Sequence, residues 1–151
     1  MKILIIGSSS QIAQNLVLEK SNLFDFIKVS SSNSDFDVQN EETFPKIEEG
    51  IDGLVYFPGS INLKPFSNLT LSDFQKDYEI NFLGLIKVLK HYEKSLNSNA
   101  SLVFISSIAA SVGMPFHSSI SSSKSAVEGL CRSLAAEWAP KVRVNCVAPS
   151  L

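Results

Sequence analysis

The sequence predicts an α/β protein: a doubly wound parallel sheet with helices on both faces. Three observations point there. Short apolar runs with almost no polar alternation recur along the chain, as strands buried on both faces require. Longer segments with three- and four-residue apolar spacing separate them, as crossover helices require. Strand and helix alternate without an internal repeat or a dividing linker, so right-handed crossovers build one sheet.

Residues 3–6 form the first strand, and Gln11–Lys20 a helix with Ile12, Ala13 and Leu16 on one face. Residues 26–29 are a second strand, followed by a serine-rich loop over 30–34. A very short third strand is expected over 36–38 and a short helix over 41–49. Residues 53–57 give a fourth strand. The spacing of Phe74, Tyr78, Phe82, Leu85 and Leu89 predicts one long helix over 72–96. A fifth strand at 102–105, a second long helix over Ser118–Trp138 and a sixth strand at 142–147 complete the pattern. The whole, residues 1–151, reads as a single dinucleotide-binding domain. Its stop just after a strand, with no closing helix, reads as an N-terminal fragment of a longer chain.

Composition narrows the function classes. The net charge is −2, and no basic stripe points to nucleic acid or an anionic membrane. No apolar run approaches the ~18 residues of a membrane helix, and the start shows no secretory pattern. Two cysteines, Cys131 and Cys146, are too few for a disulfide framework and read as small buried hydrophobes. A cytoplasmic protein acting on a small molecule is the expectation.

The turn after the first strand of such a sheet meets a dinucleotide pyrophosphate through backbone N–H groups and a helix N-terminus. Here it is Gly7-Ser8-Ser9-Ser10-Gln11-Ile12-Ala13. Its hydroxyls can bond phosphate, or Ser9 or Ser10 can simply cap the helix. One glycine alone does not decide between a ligand site and a capped helix.

The stretch from 101 to 150, SLVFISSIAASVGMPFHSSISSSKSAVEGLCRSLAAEWAPKVRVNCVAPS, is more specific. With Ser106-Ser107, Lys124, Leu134-Ala135-Ala136-Glu137 and Arg143-Val144-Asn145 before Pro149, it resembles the catalytic half of the short-chain dehydrogenase/reductase family. The resemblance implies a Rossmann-type fold lacking the family's C-terminal portion. It also implies hydride transfer between a nicotinamide cofactor and a carbonyl or alcohol, and a homodimer or homotetramer when full length. Gly7, Ser9, Ser10, Gln11 and Ile12 resemble the glycine-rich turn, although Gln11 and Ala13 stand where the family has glycine. Asp37 and Val38 resemble the pair that contacts adenine, and Pro58 and Gly59 fall in the Asn-Ala-Gly element. Pro149 lies in the cofactor-binding segment.

By the same resemblance, Asn81 holds a proton-relay water, Ser107 polarises the carbonyl, and Lys124 bonds the nicotinamide ribose. The family's proton donor is a tyrosine four residues before the lysine. Here that position is Ile120. His117, three residues earlier, is a candidate substitute acid, against the plainer reading of a loop histidine. Plainer readings stand beside the others too: Asn81 as a polar residue at a helix kink, Asp37 as a cap. No carboxylate ends the second strand; Ser30 and Ser31 stand there with Lys28 nearby. That absence favours NADP over NAD, since nothing repels a 2′-phosphate. The other reading is a catalytically silent NAD(P)-binding or partner-binding protein on the same scaffold.

Overall fold

The structure, a computed structural model, describes residues 1–32, 35–48 and 50–150. Five strands, β1 (Lys2–Ile6), β2 (Asp25–Val29), β3 (Ile51–Tyr56), β4 (Leu96–Ile105) and β5 (Arg143–Val147), lie in the order β2-β1-β3-β4-β5. Every pairing is parallel. The helices are α1 (Gln11–Lys20), α2 (Leu71–Tyr78), α3 (Gly84–Tyr92) and α4 (Ser118–Trp138).

Alternation along β1 assigns the two faces. Leu4 and Ile6 join Leu54, Tyr56, Leu102 and Phe104 in the main core against Leu85, Val88 and Tyr92 of α3 and Val127 of α4. Ile5 points the other way and is fully buried, as is Ala13 of α1, and neither belongs to that core. Ser10 starts α1 by accepting the Ala13 N–H at 3.2 Å. Thr70 starts α2 through a reciprocal cap with Asp73. No helix among the described residues is long and apolar enough to cross a membrane.

Three expected elements differ. The third strand over 36–38 does not form; Asp37 makes only an isolated bridge to Asn40. Local bonds replace the ladder there: the Asp37 N–H donates to Thr43 Oγ1 at 2.8 Å and the Gln39 N–H to Asp37 Oδ1 at 2.9 Å. The helix expected over 41–49 is a single turn, Glu41–Thr43. Pro45 pushes Phe44 into an extended conformation (φ −75°, ψ 123°) and ends it. Residues 33 and 34 of the expected serine-rich loop and residue 49 of the expected helix lie outside the described residues.

The long helix expected over 72–96 is interrupted by a widened π-turn, Glu79–Leu83. Asn81 fills it: its side-chain amide donates to the Asp77 carbonyl at 2.8 Å, four residues back. The Tyr56 hydroxyl donates to the Ile80 carbonyl from the sheet at 2.7 Å. Leu96 then already belongs to β4 and pairs with Ile51.

The strand order reverses at β1, between β2 and β3. Gly7, Ser30 and Phe57 follow the C-terminal ends of these strands, and Ser106 follows β4. Doubly wound sheets bind ligands along that edge.

Candidate active site

A cleft of about 540 Å3 opens at this reversal. Gly7, Ser9 and Ser10 line it from the first turn, Ser30 and Ser31 from the end of β2. Asp37 and Val38 line it from the bridge segment, Pro58 and Gly59 from the end of β3. Phe36, Gln39, Phe57 and Ile80 also line it, which the sequence pattern alone did not single out. Gln11 and Ile12 lie outside this lining: Gln11 bonds Asn15 along α1, and the Ile12 side chain is largely exposed.

The first turn has the geometry for an anion. Gly7 adopts φ +81°, and a Cβ there would lie 2.9 Å from Pro58 Cδ, so only glycine fits. The Gly7 and Ser8 N–H groups both donate to Val29 O, at 2.8 and 3.1 Å, tying the turn to β2. The N–H groups of Ser9, Gln11 and Ile12 have no acceptor among the described residues. Unsatisfied donors at a helix start attract phosphate. Asp37 lines the cleft and accepts its own turn's Gln39 N–H, but the next helical turn is capped by Asn40, whose side chain accepts the Glu42 N–H, so Asp37 is not that helix's cap.

Two predicted residues, Asn81 and Lys124, converge on Gly59. A Cβ on Gly59 would lie 3.0 Å from Asn81 Oδ1 and 3.7 Å from Lys124 Nζ. Asn81 is fully buried. Its amide nitrogen donates to Ser60 O at 3.0 Å and to Asp77 O at 2.8 Å. Its carbonyl oxygen has no partner among the described residues, although nearly all buried polar atoms have one. The kink reading of Asn81 is therefore correct for its nitrogen and leaves its oxygen unexplained. Lys124 is 7 % exposed and donates to Ile105 O at 2.8 Å. Burial lowers its ammonium pKa to about 8, a fall that the neighbouring Cys146 partly offsets.

A second cavity, of about 200 Å3, lies on the β4 and β5 side. Ser107 and His117 line it with Ile61, Ile108, Met114 and Pro149. Pro149 thus falls here and not in the larger cleft. The Ser107 hydroxyl oxygen accepts the Ala109 N–H at 3.2 Å, which leaves its own proton to give. Ser106 lines the cavity too, but its hydroxyl donates to Glu128 Oε1 at 2.7 Å, a structural role. His117 sits half-buried just before α4, with Nδ1 2.6 Å from Pro115 O. A carbonyl only accepts, so Nδ1 carries a proton and Nε2 is the nitrogen left for chemistry. Ile120 is 4 % exposed in the first turn of α4 and offers no proton. The two thiols behave as small core groups: burial pushes both pKa values up, Cys146 to about 11.

Sequence reasoning missed Asp77. It is fully buried in the last turn of α2 and accepts hydrogen bonds from Ser60, Asn62 and Ser119. In the sequence it is one acid among the polar residues of an amphipathic helix, with no signal of burial.

Residues 31–151 match a family model described as enoyl-(acyl carrier protein) reductase. Hydroxynaphthalene reductase of Aspergillus fumigatus is 33 % identical over 101 residues, which are 66 % of this chain and 37 % of that protein. L-2,3-butanediol dehydrogenase of Corynebacterium glutamicum is 32 % identical over 123 residues, 78 % of this chain and 47 % of its own length. The chain therefore spans less than half the length of these relatives. A solved protein of Listeria innocua superposes with a TM-score of 0.89 at 23 % identity, covering 99 % of this chain and 77 % of that one. A small-chain dehydrogenase solved in complex with NADPH gives 0.91 at 19 % identity, covering 100 % and 70 %. The fold is the same in both, and by its family match the chain belongs to the short-chain dehydrogenase/reductase family.

Proposed function

We propose that this chain carries the cofactor cleft and the polar half of the active site of a nicotinamide-dependent oxidoreductase acting on a neutral carbonyl or alcohol. The observation that carries the proposal is the convergence of Lys124 Nζ and the orphaned Asn81 Oδ1 on Gly59, between the two cavities. These residues fit a dinucleotide: free N–H groups at the α1 start for its phosphates, and a buried ammonium for its ribose hydroxyls. When bound, the nicotinamide supplies or accepts the hydride.

The chain's own residues then do the rest. Lys124 spends one N–H on Ile105 O and keeps two for ribose oxygens. Ser107 donates to the oxygen where negative charge develops. Asn81 Oδ1 accepts from a relay water. His117, with Nδ1 fixed by Pro115 O, gives or takes the proton at Nε2. Ile61, Ile108, Met114 and Pro149 supply apolar walls, and no carboxylate, ammonium or guanidinium lines the small cavity among the described residues. An uncharged substrate with an apolar body matches that lining.

NADP is favoured over NAD, because hydroxyls rather than a carboxylate stand at Ser30 and Ser31. The small-chain dehydrogenase solved with NADPH supports the cofactor class. The full-length protein acts in the cytoplasm as a homodimer or homotetramer, with α3 and α4 as its contact face. Leu89, Leu130 and Leu134 line a groove between those helices that another copy would fill. The buried Ile120 favours a second reading, a silent cofactor-binding scaffold.

Calorimetric titration of the full-length chain with NADPH and with NADH tests the cofactor site. Binding of at least one, tighter for NADPH, is expected. No heat and no thermal shift with either at millimolar concentration would overturn the proposal.

A further inference from the structure

We infer that Asp77 is a positioning residue for the small cavity, fixing its two walls relative to each other. The inference rests on the hydride-transfer reading and adds to it a residue that touches neither cavity.

Asp77 is fully buried in the last turn of α2, and no cation is bonded to it among the described residues. Its two oxygens divide their work. Oδ1 accepts from Ser60 Oγ at 2.7 Å and from Asn62 Nδ2 at 3.1 Å. Oδ2 accepts from Ser119 Oγ at 2.7 Å. Ser60 and Asn62 flank Ile61, which lines one side of the cavity. Ser119 lies two residues after His117, which also lines the cavity, and directly before Ile120. One carboxylate thus holds the β3–α2 loop with one oxygen and the start of α4 with the other.

Packing two helices does not need a carboxylate. Burying one without a cation is costly, and an apolar pair would hold the same contact more cheaply. What a carboxylate does better is fix several donors at once in a direction-dependent network. Ser60 is also held by Asn81, whose side-chain amide donates to the Ser60 carbonyl. The clamp therefore joins Ile61, Asn81 and the first turn of α4. The carboxylate itself does not reach the cofactor cleft: neither Asp77 nor residues 60–62 line it.

The test uses the full-length protein with NADPH, 2-tetralone as the ketone, and variants Asp77→Ala, Asp77→Asn and Ser119→Ala. Amide hydrogen exchange is read at residues 60–62 and 117–121. Asp77→Ala should speed exchange in both segments and raise KM for 2-tetralone by about tenfold or more, since three bonds to a charged group are lost. The dissociation constant of NADPH should stay within about twofold, the cleft being separate. Ser119→Ala should loosen 117–121 only. Asp77→Asn should restore most of the wild-type behaviour, because its amide still accepts at Oδ1 and the Ser119 hydroxyl can turn to accept from Nδ2.

Wild-type exchange at both segments in Asp77→Ala overturns the inference. So does faster exchange across the whole chain with KM and NADPH affinity worsening together, which marks a merely structural carboxylate. If wild-type protein binds NADPH but does not turn over 2-tetralone, the hydride-transfer reading fails for that ketone. The exchange pattern still decides the clamp: confined to the two segments it stands, unchanged it falls.

Discussion

Replacing Lys124 by methionine should stabilise the apo protein at neutral pH while crippling its cofactor site. Lys124 is 7 % exposed, and burial lowers its pKa from 10.5 to about 8. At about 1.4 kcal/mol per pH unit, the charged form is disfavoured by about 3 kcal/mol. Methionine fills nearly the same volume without charge. It forfeits the bond to Ile105 O, and leaving that carbonyl unpaired costs ~1–3 kcal/mol. The balance at pH 7 runs from about zero to about 2 kcal/mol in favour of the variant. For a chain of this length each kcal/mol raises Tm by about 2–4 °C.

The pH dependence fixes the sign. Between pH 8 and 10.5 the unfolded chain holds a proton on this lysine that the folded chain has lost. Wild-type stability therefore rises with pH through that window relative to the variant. The advantage of Lys124→Met should shrink above pH 8 and reverse by about pH 10. Paired thermal melts at pH 7, 9 and 10 read this directly. Calorimetry at pH 7 should show NADPH bound ~10–150-fold more weakly, the value of one charge-assisted bond. A variant less stable than wild type at pH 7, by an amount that does not change with pH, would refute the buried-ammonium argument. Wild-type NADPH affinity should itself fall as pH rises through about 8, as the ammonium is lost.

Three further perturbations probe the site. Ile120→Tyr adds a phenol in a buried position, at ~1–3 kcal/mol of stability from overpacking; ketone reduction, followed by NADPH absorbance, should rise by ~10²–10⁴-fold. A variant that folds, binds NADPH and reduces nothing on a broad ketone panel would support the silent scaffold instead. His117→Ala should remove a measurable native reduction, and the double variant with Ile120→Tyr should recover it; native speed retained in His117→Ala means that the proton comes from elsewhere. Gly7→Ala, with φ +81° and its new Cβ 2.9 Å from Pro58, should lower stability by ~1–3 kcal/mol in a denaturant melt and weaken NADPH binding. An unchanged melt and unchanged affinity would mean that the turn tolerates a side chain.

The elements that local pattern controls were legible from sequence. The Gln11–Lys20 and Ser118–Trp138 helices match to the residue; Ser10 caps the first as expected, although Ile12, expected on its apolar face, is exposed. The failures lie where a side chain competes with the backbone. Asp37 and Thr43 satisfy their own turn and withdraw 36–38 from the sheet. Asn81 takes the Asp77 carbonyl and splits a helix whose apolar spacing looked continuous. In the candidate site, Gly7 at the cleft, Ser107 in the small cavity and Lys124 beside Gly59 were singled out through the family resemblance, and the fold brings them there. The Asp77 clamp was not, because its three donors come from residues 60, 62 and 119, and only the fold brings them to one carboxylate.

The cost of the polar groups around Gly59 separates a ligand site from a leftover scaffold. Lys124 is buried at a charge penalty, and Asn81 Oδ1 is buried with no partner among the described residues. Beyond the Lys124 bond to Ile105 O, the apo fold gains nothing from the buried charge or from the bare oxygen. An orphaned buried oxygen costs ~1–3 kcal/mol. Both groups face the same glycine, which keeps open the space that a Cβ would fill. A buried charge and an unsatisfied polar atom at one point are what a site looks like before its ligand supplies the missing partners. A dinucleotide ribose would give Lys124 its acceptors, and a water held between it and Asn81 would give Oδ1 its donor. Ile120, buried in the first turn of α4, offers no proton and leaves those two needs in place. It therefore bears on proton transfer, and not on cofactor binding.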